Sequence, residues 1–197
     1  MAFPPTASYP ASANYKVNAF LWDGDSMNLG TTAGSAWAMH TLMSAQANFS
    51  GKGQFWNVAV GGTTVAQQVA AFAKTKPYRP PLGHGFLFHW GGTAGLTETT
   101  FADFQAYWAL ARADGWKIVA HTLQAVGTDD GALQALRAAT NASIRSDSTA
   151  YDYLVEMDLL LPDSSDLDYF SDSVHLTALG YETVAAHINS VLGLPVL

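Results

Sequence analysis

Short apolar runs alternate along this chain with longer stretches in which apolar residues recur every three to four positions. The runs occupy 17–22, 55–60, 86–90, 116–123 and 151–157, are rich in aromatic and β-branched residues, and are each followed by small residues. Their apolar character is near-continuous rather than alternating. That pattern predicts strands buried on both faces, as in a parallel sheet. Between them, Val65, Val69 and Phe72 share one helical face, and Phe101, Phe104, Trp108 and Ala111 share another. Leu133, Leu136, Thr140 and Ile144 form a weaker stripe. Val184, Ile188, Val191 and Leu192 form the last, with Gly193 and Pro195 as stop signals. A further helix is predicted over 35–47. Strands alternating with amphipathic helices predict a three-layer α/β/α sandwich around a parallel sheet of about five strands. Residues 15–197 read as one domain without internal repeats, preceded by a Pro-, Ala- and Ser-rich arm over 1–14.

This architecture constrains where chemistry sits. In open parallel sheets ligands bind beyond the carboxyl ends of the strands. Ser26, Gly61, Gly62, Gly91 and Gly92 all follow predicted strands, so they should converge on one edge.

Composition removes several function classes. The 197 residues are 49% hydrophobic and 13% charged, which excludes an intrinsically disordered chain. A formal net charge of −7, with 9 Lys and Arg scattered along the sequence, argues against nucleic-acid or anionic-surface partners. There are no cysteines, so disulfides and thiolate metal sites are excluded. The opening residues lack the basic start and apolar core of a secretory signal, and no run has the length of a membrane span.

Candidate chemistry begins at "FLWDGDSMNLG", where Ser26 follows the first strand. A serine hydroxyl is a weak nucleophile until a base removes its proton, and the base needs an orienting partner. His175 lies in "SDSVHLTALGYETVAAHI", with Asp172 three residues before it. On a turn this spacing sets a carboxylate beside an imidazole. Each piece alone has a plain structural reading. Gly-Asp-Ser is a common turn, a loop Asp before a helix is often a cap, and Thr64 after Gly61-Gly62-Thr63 reads as an N-cap.

Together the three blocks resemble the SGNH hydrolases, also called the GDSL esterase and lipase family, over nearly the whole chain from Lys16 onward. "WDGDSMNLG" resembles the nucleophile block, "NVAVGGTTV" the glycine block, and "SDSVHLTALGYETVAAHI" the final Asp-His block. The resemblance implies a flavodoxin-like fold and an ester hydrolase without cofactor or metal. It assigns Ser26 as nucleophile, His175 as general base and then acid, and Asp172 as the group orienting His175. The oxyanion would be held by the backbone N–H of Ser26 and of Gly62, with Gly61 as the alternative one residue away. Asp25 reads as a structural carboxylate.

The third block departs from the family. It usually reads Gly-x-Asn-Asp, and its Asn donates to the oxyanion. Here the stretch is "FHWGGTAGLTETT". Without a gap, Ala94 and Gly95 replace Asn and Asp, and a short deletion after Thr93 fits equally well. Thr93, His89 and Asn28 are the substitute donors nearest in sequence. Trp90, at the end of the third strand, is a candidate platform for stacking on a sugar.

Other residues carry plainer expectations. His84 and His89 lack a third metal ligand, and His121 reads as a core or edge residue. His40 and His187 read as exposed helix positions. Asp158 reads as a turn carboxylate, and Asp163, Asp166 and Asp168 as a solvated loop. The expected substrate is a small acyl ester, acetyl above all, on a small molecule or carbohydrate. The alternative is a catalytically weakened carbohydrate-binding module of a larger extracellular or phage-tail assembly. A transferase passing the acyl group to another alcohol is a third reading.

Overall fold

In the computed structural model, the structure describes residues 18–30, 53–79 and 85–192. The predicted arm over 1–14, the helix over 35–47 and the stop signals Gly193 and Pro195 lie outside these residues, as do His40 and His84.

Five strands form one parallel sheet in the order β2-β1-β3-β4-β5. They are β1 (Asn18–Gly24), β2 (Gly53–Asn57), β3 (Gly85–Trp90), β4 (Trp116–His121) and β5 (Tyr153–Val155). Among the described residues the α-helices are α1 (Ser26–Leu29), α2 (Val65–Ala70), α3 (Thr100–Ala113), α4 (Gly131–Ser146), α5 (Met157–Leu160) and α6 (Ala178–Val191). This strand order reverses direction between β1 and β3, the switch point at which doubly wound sheets open a ligand crevice.

Both faces of the sheet are apolar, as the continuous runs predict. Phe20, Trp22, Phe88 and Trp90 point to one side and pack with Tyr181, Val184 and Ile188 of α6. Ala19, Leu21, Leu87 and Ile118 point to the other and pack with Val65, Phe104 and Trp108. Successive strand residues alternate between these two cores because the side-chain period of a strand is two. Trp22 and Phe88 stack across β1 and β3 with centroids 4.4 Å apart and planes 4° from parallel. Each such side chain contributes about 1.5–3 kcal/mol by leaving water.

Local chemistry sets several element ends. β2 stops at Asn57, whose side-chain oxygen accepts the Ala59 N–H at 2.9 Å. The chain still follows β1, since Val58 and Val60 donate to the carbonyls of Trp22 and Gly24 at 2.9 and 3.1 Å. β5 is shorter than its apolar run because Asp152 turns its carboxylate onto the Ile118 N–H at 2.8 Å and Met157 opens α5. Thr64 caps α2 through a capping box with Gln67, as expected. The predicted stripe through Phe72 then passes into a 3-10 helix over Phe72–Tyr78 that contains Pro77. Proline has no N–H to continue an α-helical ladder there.

α4 differs most from its predicted stripe. Leu133 and Leu136 are only half-buried, whereas Arg137 and Asn141 are buried beside Thr140 and Ile144. Asn141 brackets the backbone of Leu123, donating to its carbonyl at 2.9 Å and accepting its N–H at 2.7 Å. A backbone segment between strand and helix thereby has its polar groups paired inside the protein. His187, expected on a solvent face of α6, is also half-buried. Among the described residues, no helix is long and apolar enough to cross a membrane.

Candidate active site

Ser26 opens α1 directly beyond the carboxyl end of β1. The turn that places it depends on Gly24, whose φ of 152° disfavours side chains and whose position leaves no room for a Cβ beside the Trp90 carbonyl. Asp25 caps the helix: its Oδ1 accepts the Met27 N–H at 3.0 Å. Its Oδ2 accepts the Thr93 N–H at 2.9 Å, tying the end of β1 to the loop after β3. Asp25 is fully buried, and burial pushes its pKa up against hydrogen bonds from Met27, Thr93 and Ala94. It is structural, as the sequence suggests. Asp23 anchors the same turn from below, accepting from Gly24 N–H at 2.8 Å, Lys74 Nζ at 2.7 Å and the Tyr107 hydroxyl at 2.5 Å.

The loop before α6 brings the second half of the site. His175 Nε2 lies 3.0 Å from Ser26 Oγ, and His175 Nδ1 lies 2.9 Å from Asp172 Oδ2. The other Asp172 oxygen accepts the backbone N–H groups of Val174 and His175, each at 2.7 Å. Partial desolvation pushes the Asp172 pKa up, but the hydrogen bonds from His175 and Val174 outweigh it and hold it below the usual carboxylate value. A carboxylate beside Nδ1 makes that nitrogen the protonated one and leaves Nε2 as an acceptor toward Ser26. The three groups are separated by up to 149 residues in sequence, yet form one hydrogen-bonded line.

That line borders an open cleft of about 440 Å³ that includes Ser26, Gly61, Gly62, Thr93, Val126 and His175. Gly61 packs against Ser26: a Cβ on it would lie 3.8 Å from the Ser26 Cβ. Gly62 turns the chain at φ 73°, with open space beside it. Neither glycine donates its N–H to a described residue. A buried relay braces this turn from behind. Trp108 Nε1 donates to His89 Nδ1 at 3.1 Å, and His89 Nε2 donates to Gln68 Oε1 at 2.7 Å. Gln68 donates to the carbonyl and hydroxyl oxygens of Thr63, whose hydroxyl donates to the Val60 carbonyl at 2.8 Å.

The relay removes His89 as a substitute oxyanion donor, because both ring nitrogens are used within the core. Burial, followed by the unfavourable electrostatics of a second positive charge near His121 and Lys74, holds its pKa well below the ordinary value. Asn28 is also removed, since its amide donates to the carbonyls of Asp23 and Phe88 at 2.6 and 3.0 Å. Thr93 alone of the three borders the cleft, with Ala94 beside it. Its oxygen accepts from Gln124 Nε2 at 3.3 Å. The orientation of that amide is dictated by Trp90, whose Nε1 can only donate and does so to Gln124 Oε1 at 3.0 Å. The Thr93 hydroxyl proton therefore points away from Gln124; at rest it helps hold the Asp25 carboxylate.

Trp90 is a correction. It is not a stacking platform at the surface of the site: its side chain is fully buried, hydrogen-bonded to Gln124 and stacked on His121 at 5.6 Å. The apolar run that predicts its strand also predicts this burial: a residue at a strand end inside a continuous apolar run faces the core. Asp158 accepts from Thr122 and Arg145, each at 2.6 Å, and is structural. In the acidic loop, Asp163 turns onto the N–H and hydroxyl of Ser165.

Sequence reasoning missed two residues at the cleft. Asp129 borders it, and Arg137 holds Asp129 from α4. Asp129 looks like a helix cap beside Asp130, which does cap α4 through Leu133 N–H. Arg137 looks like a surface residue, although its place on the inward stripe between Leu133 and Asn141 was a legible signal.

No protein-family model and no curated protein sequence matches the chain. Solved structures do. The psychrotrophic esterase EstA from Pseudoalteromonas, in a structure inhibited by monoethylphosphonate, superposes with a TM-score of 0.71 at 13% identity over 89% of this chain and 97% of that one. A member of the lipolytic G-D-S-L family from Veillonella parvula matches with a TM-score of 0.72 at 16% identity over 89% and 98%. An acetyl-xylooligosaccharide esterase from Geobacillus matches with a TM-score of 0.69 at 12% identity over 89% and 94%. With its five-stranded parallel sheet in this order and helices on both faces, the chain has the fold of the SGNH hydrolases.

Proposed function

We propose that this protein is a serine ester hydrolase that removes small acyl groups, acetyl above all, from carbohydrate esters. The observation that carries the reading is the line Asp172–His175–Ser26, with links of 2.9 and 3.0 Å beside an open cleft. Ser26 Oγ attacks the ester carbonyl while His175 Nε2 takes its proton. Asp172 stabilises the imidazolium that forms. The carbonyl oxygen, now an oxyanion, is received by the N–H groups of the Gly61–Gly62 turn and by the Thr93 hydroxyl, which stands in for the absent Asn. As the tetrahedral intermediate collapses, the C–O bond to the alcohol breaks and His175 returns its proton to the leaving oxygen. Water, activated by the same imidazole, then releases the acyl group from Ser26. The open cleft and the short apolar wall of Leu29, Val126 and Val174 favour a short acyl chain. Acetylated carbohydrate as the substrate class is supported by the acetyl-xylooligosaccharide esterase among the structural neighbours.

A fluorophosphonate probe should label the protein, and the modified residue should map to Ser26. Ser26→Ala should lose labelling and at least about 1,000-fold of the turnover of 4-nitrophenyl acetate, consistent with the loss of a triad nucleophile. Turnover that survives Ser26→Ala would refute the proposal. Absent labelling with retained glycan binding would instead favour the binding-module reading.

A further inference from the structure

A second cleft of about 400 Å³ adjoins the first and shares Val126 and Asp129 with it. Its walls mix polar and apolar groups, and its size suits a small-molecule moiety. Arg137 lines it and is only 6% exposed. Arg137 Nε and Nη2 both donate to Asp129 Oδ2 at 2.7 Å. The remaining nitrogen, Nη1, is buried without a hydrogen-bond partner among the described residues. Asp129 Oδ1 likewise takes no hydrogen bond from a described residue. Arg137 thus serves to fix the Asp129 carboxylate, whose second oxygen stays open where the two clefts meet. The junction of the clefts therefore offers a ligand one fixed acceptor, Asp129 Oδ1. A carboxylate oxygen held in this way accepts from a hydroxyl group.

The local charge selects further. Arg137 is neutralised by Asp129, and Asp158 by Arg145 at 2.6 Å. Asp163, also in the wall, has no cationic partner among the described residues. Among the described residues of this wall, no free cation is left to receive a carboxylate or phosphate. The Asp129 loop is also tied to the histidine loop, since the Gly127 N–H donates to the Ser173 carbonyl at 2.8 Å. A group bound at Asp129 is thus held in register with His175.

We infer that the Asp129–Arg137 pair is the alcohol-side subsite, recognising a hydroxyl of a neutral sugar whose neighbouring ester reaches Ser26. The inference rests on the esterase reading for its location and deepens it by naming what selects the alcohol. The test compares two esters, an O-acetylated methyl xyloside and 4-nitrophenyl acetate, on the wild type and on Asp129→Asn. The ratio of kcat/KM for the sugar ester to that for 4-nitrophenyl acetate should fall at least tenfold, mainly through KM of the sugar ester. A ratio unchanged within twofold overturns the inference, because a merely structural role lowers both activities together. Should Asp129→Asn fail to fold, the paired Asp129→Leu/Arg137→Met variant leaves no lone buried charge and is read by the same ratio. If the wild type turns over neither ester, the esterase reading fails, and binding decides the subsite separately. In that case saturable calorimetric binding of the acetylated xyloside to Ser26→Ala, lost in Ser26→Ala/Asp129→Asn, supports the subsite; no binding, or binding unaffected by the second substitution, overturns it.

Discussion

His121 gives the sharpest test of how burial controls charge beneath the site. It ends β4, is 1% exposed and stacks on Trp90 with planes 7° from parallel. Its Nδ1 lies 3.2 Å from the His89 carbonyl, which can only accept, so Nδ1 carries the proton of the neutral ring. Burial pushes its pKa down from 6.5 to about 4, with the nearby His187 adding to the depression and hydrogen bonds to His89 and Val119 opposing it. Between those two values the unfolded chain takes up a proton that the folded protein refuses. Stability from this group is therefore intact above pH 6.5 and lost as pH falls toward 4. At ~1.36 kcal/mol per pH unit, the interval from 6.5 to about 4 amounts to about 3 kcal/mol. His121→Asn keeps a donor for the His89 carbonyl but cannot ionise. It loses the ring stacking, so its stability is lower at every pH, and the informative quantity is the slope. Urea unfolding followed by tryptophan fluorescence, from pH 7 to pH 4, should show the wild type losing about 3 kcal/mol more than the variant. His89, depressed in the same direction, contributes to both proteins and largely cancels. Parallel slopes in the two proteins would refute the reasoning.

Two further outcomes follow from the geometry of the site. Thr93→Val keeps the side-chain shape and removes the hydroxyl. With Asp25 competing for the same proton at rest, kcat for 4-nitrophenyl acetate should fall ~10-fold, below the roughly 100- to 1,000-fold of a dedicated oxyanion donor; an unchanged kcat would leave the oxyanion to backbone groups alone. Gly24→Ala forces a Cβ against the Trp90 carbonyl at a φ of 152°. Strain and overpacking at ~1–3 kcal/mol each should lower the melting temperature by more than 5 °C, and a variant that melts with the wild type would contradict the placement of that turn.

Much of the site is legible because it sits where short-range rules apply. Ser26 and Gly61–Gly62 follow strands, and Asp172 and His175 share one turn. The convergence of these loops on one edge follows from the alternation of strands and helices in a parallel sheet, whereas the strand order is read only from the structure. What three residues apart could not reveal is the 3.0 Å contact between His175 and Ser26, which is made across the sheet. Likewise, Thr93, His89 and Asn28 were equivalent as substitute oxyanion donors on paper. Packing separated them: His89 and Asn28 spend their hydrogen bonds inside the protein, and only Thr93 borders the cleft. Trp90 shows the converse, a strand-end residue whose ring is taken entirely by the core.

By itself, then, the sequence determined the layers, most of the elements and the placement of Ser26, Gly61–Gly62 and the Asp172–His175 turn after strands or before a helix, since hydrophobic periodicity and turn chemistry are local properties of a chain. Tertiary structure alone decided which polar groups remain available to a ligand. A hydrogen-bonding group is free only if no neighbour brought in from elsewhere has claimed it. For Thr93, Asp129 and Arg137 those neighbours, Gln124, Asp25 and one another, are assigned by the packing of separate loops and helices rather than by anything written beside them.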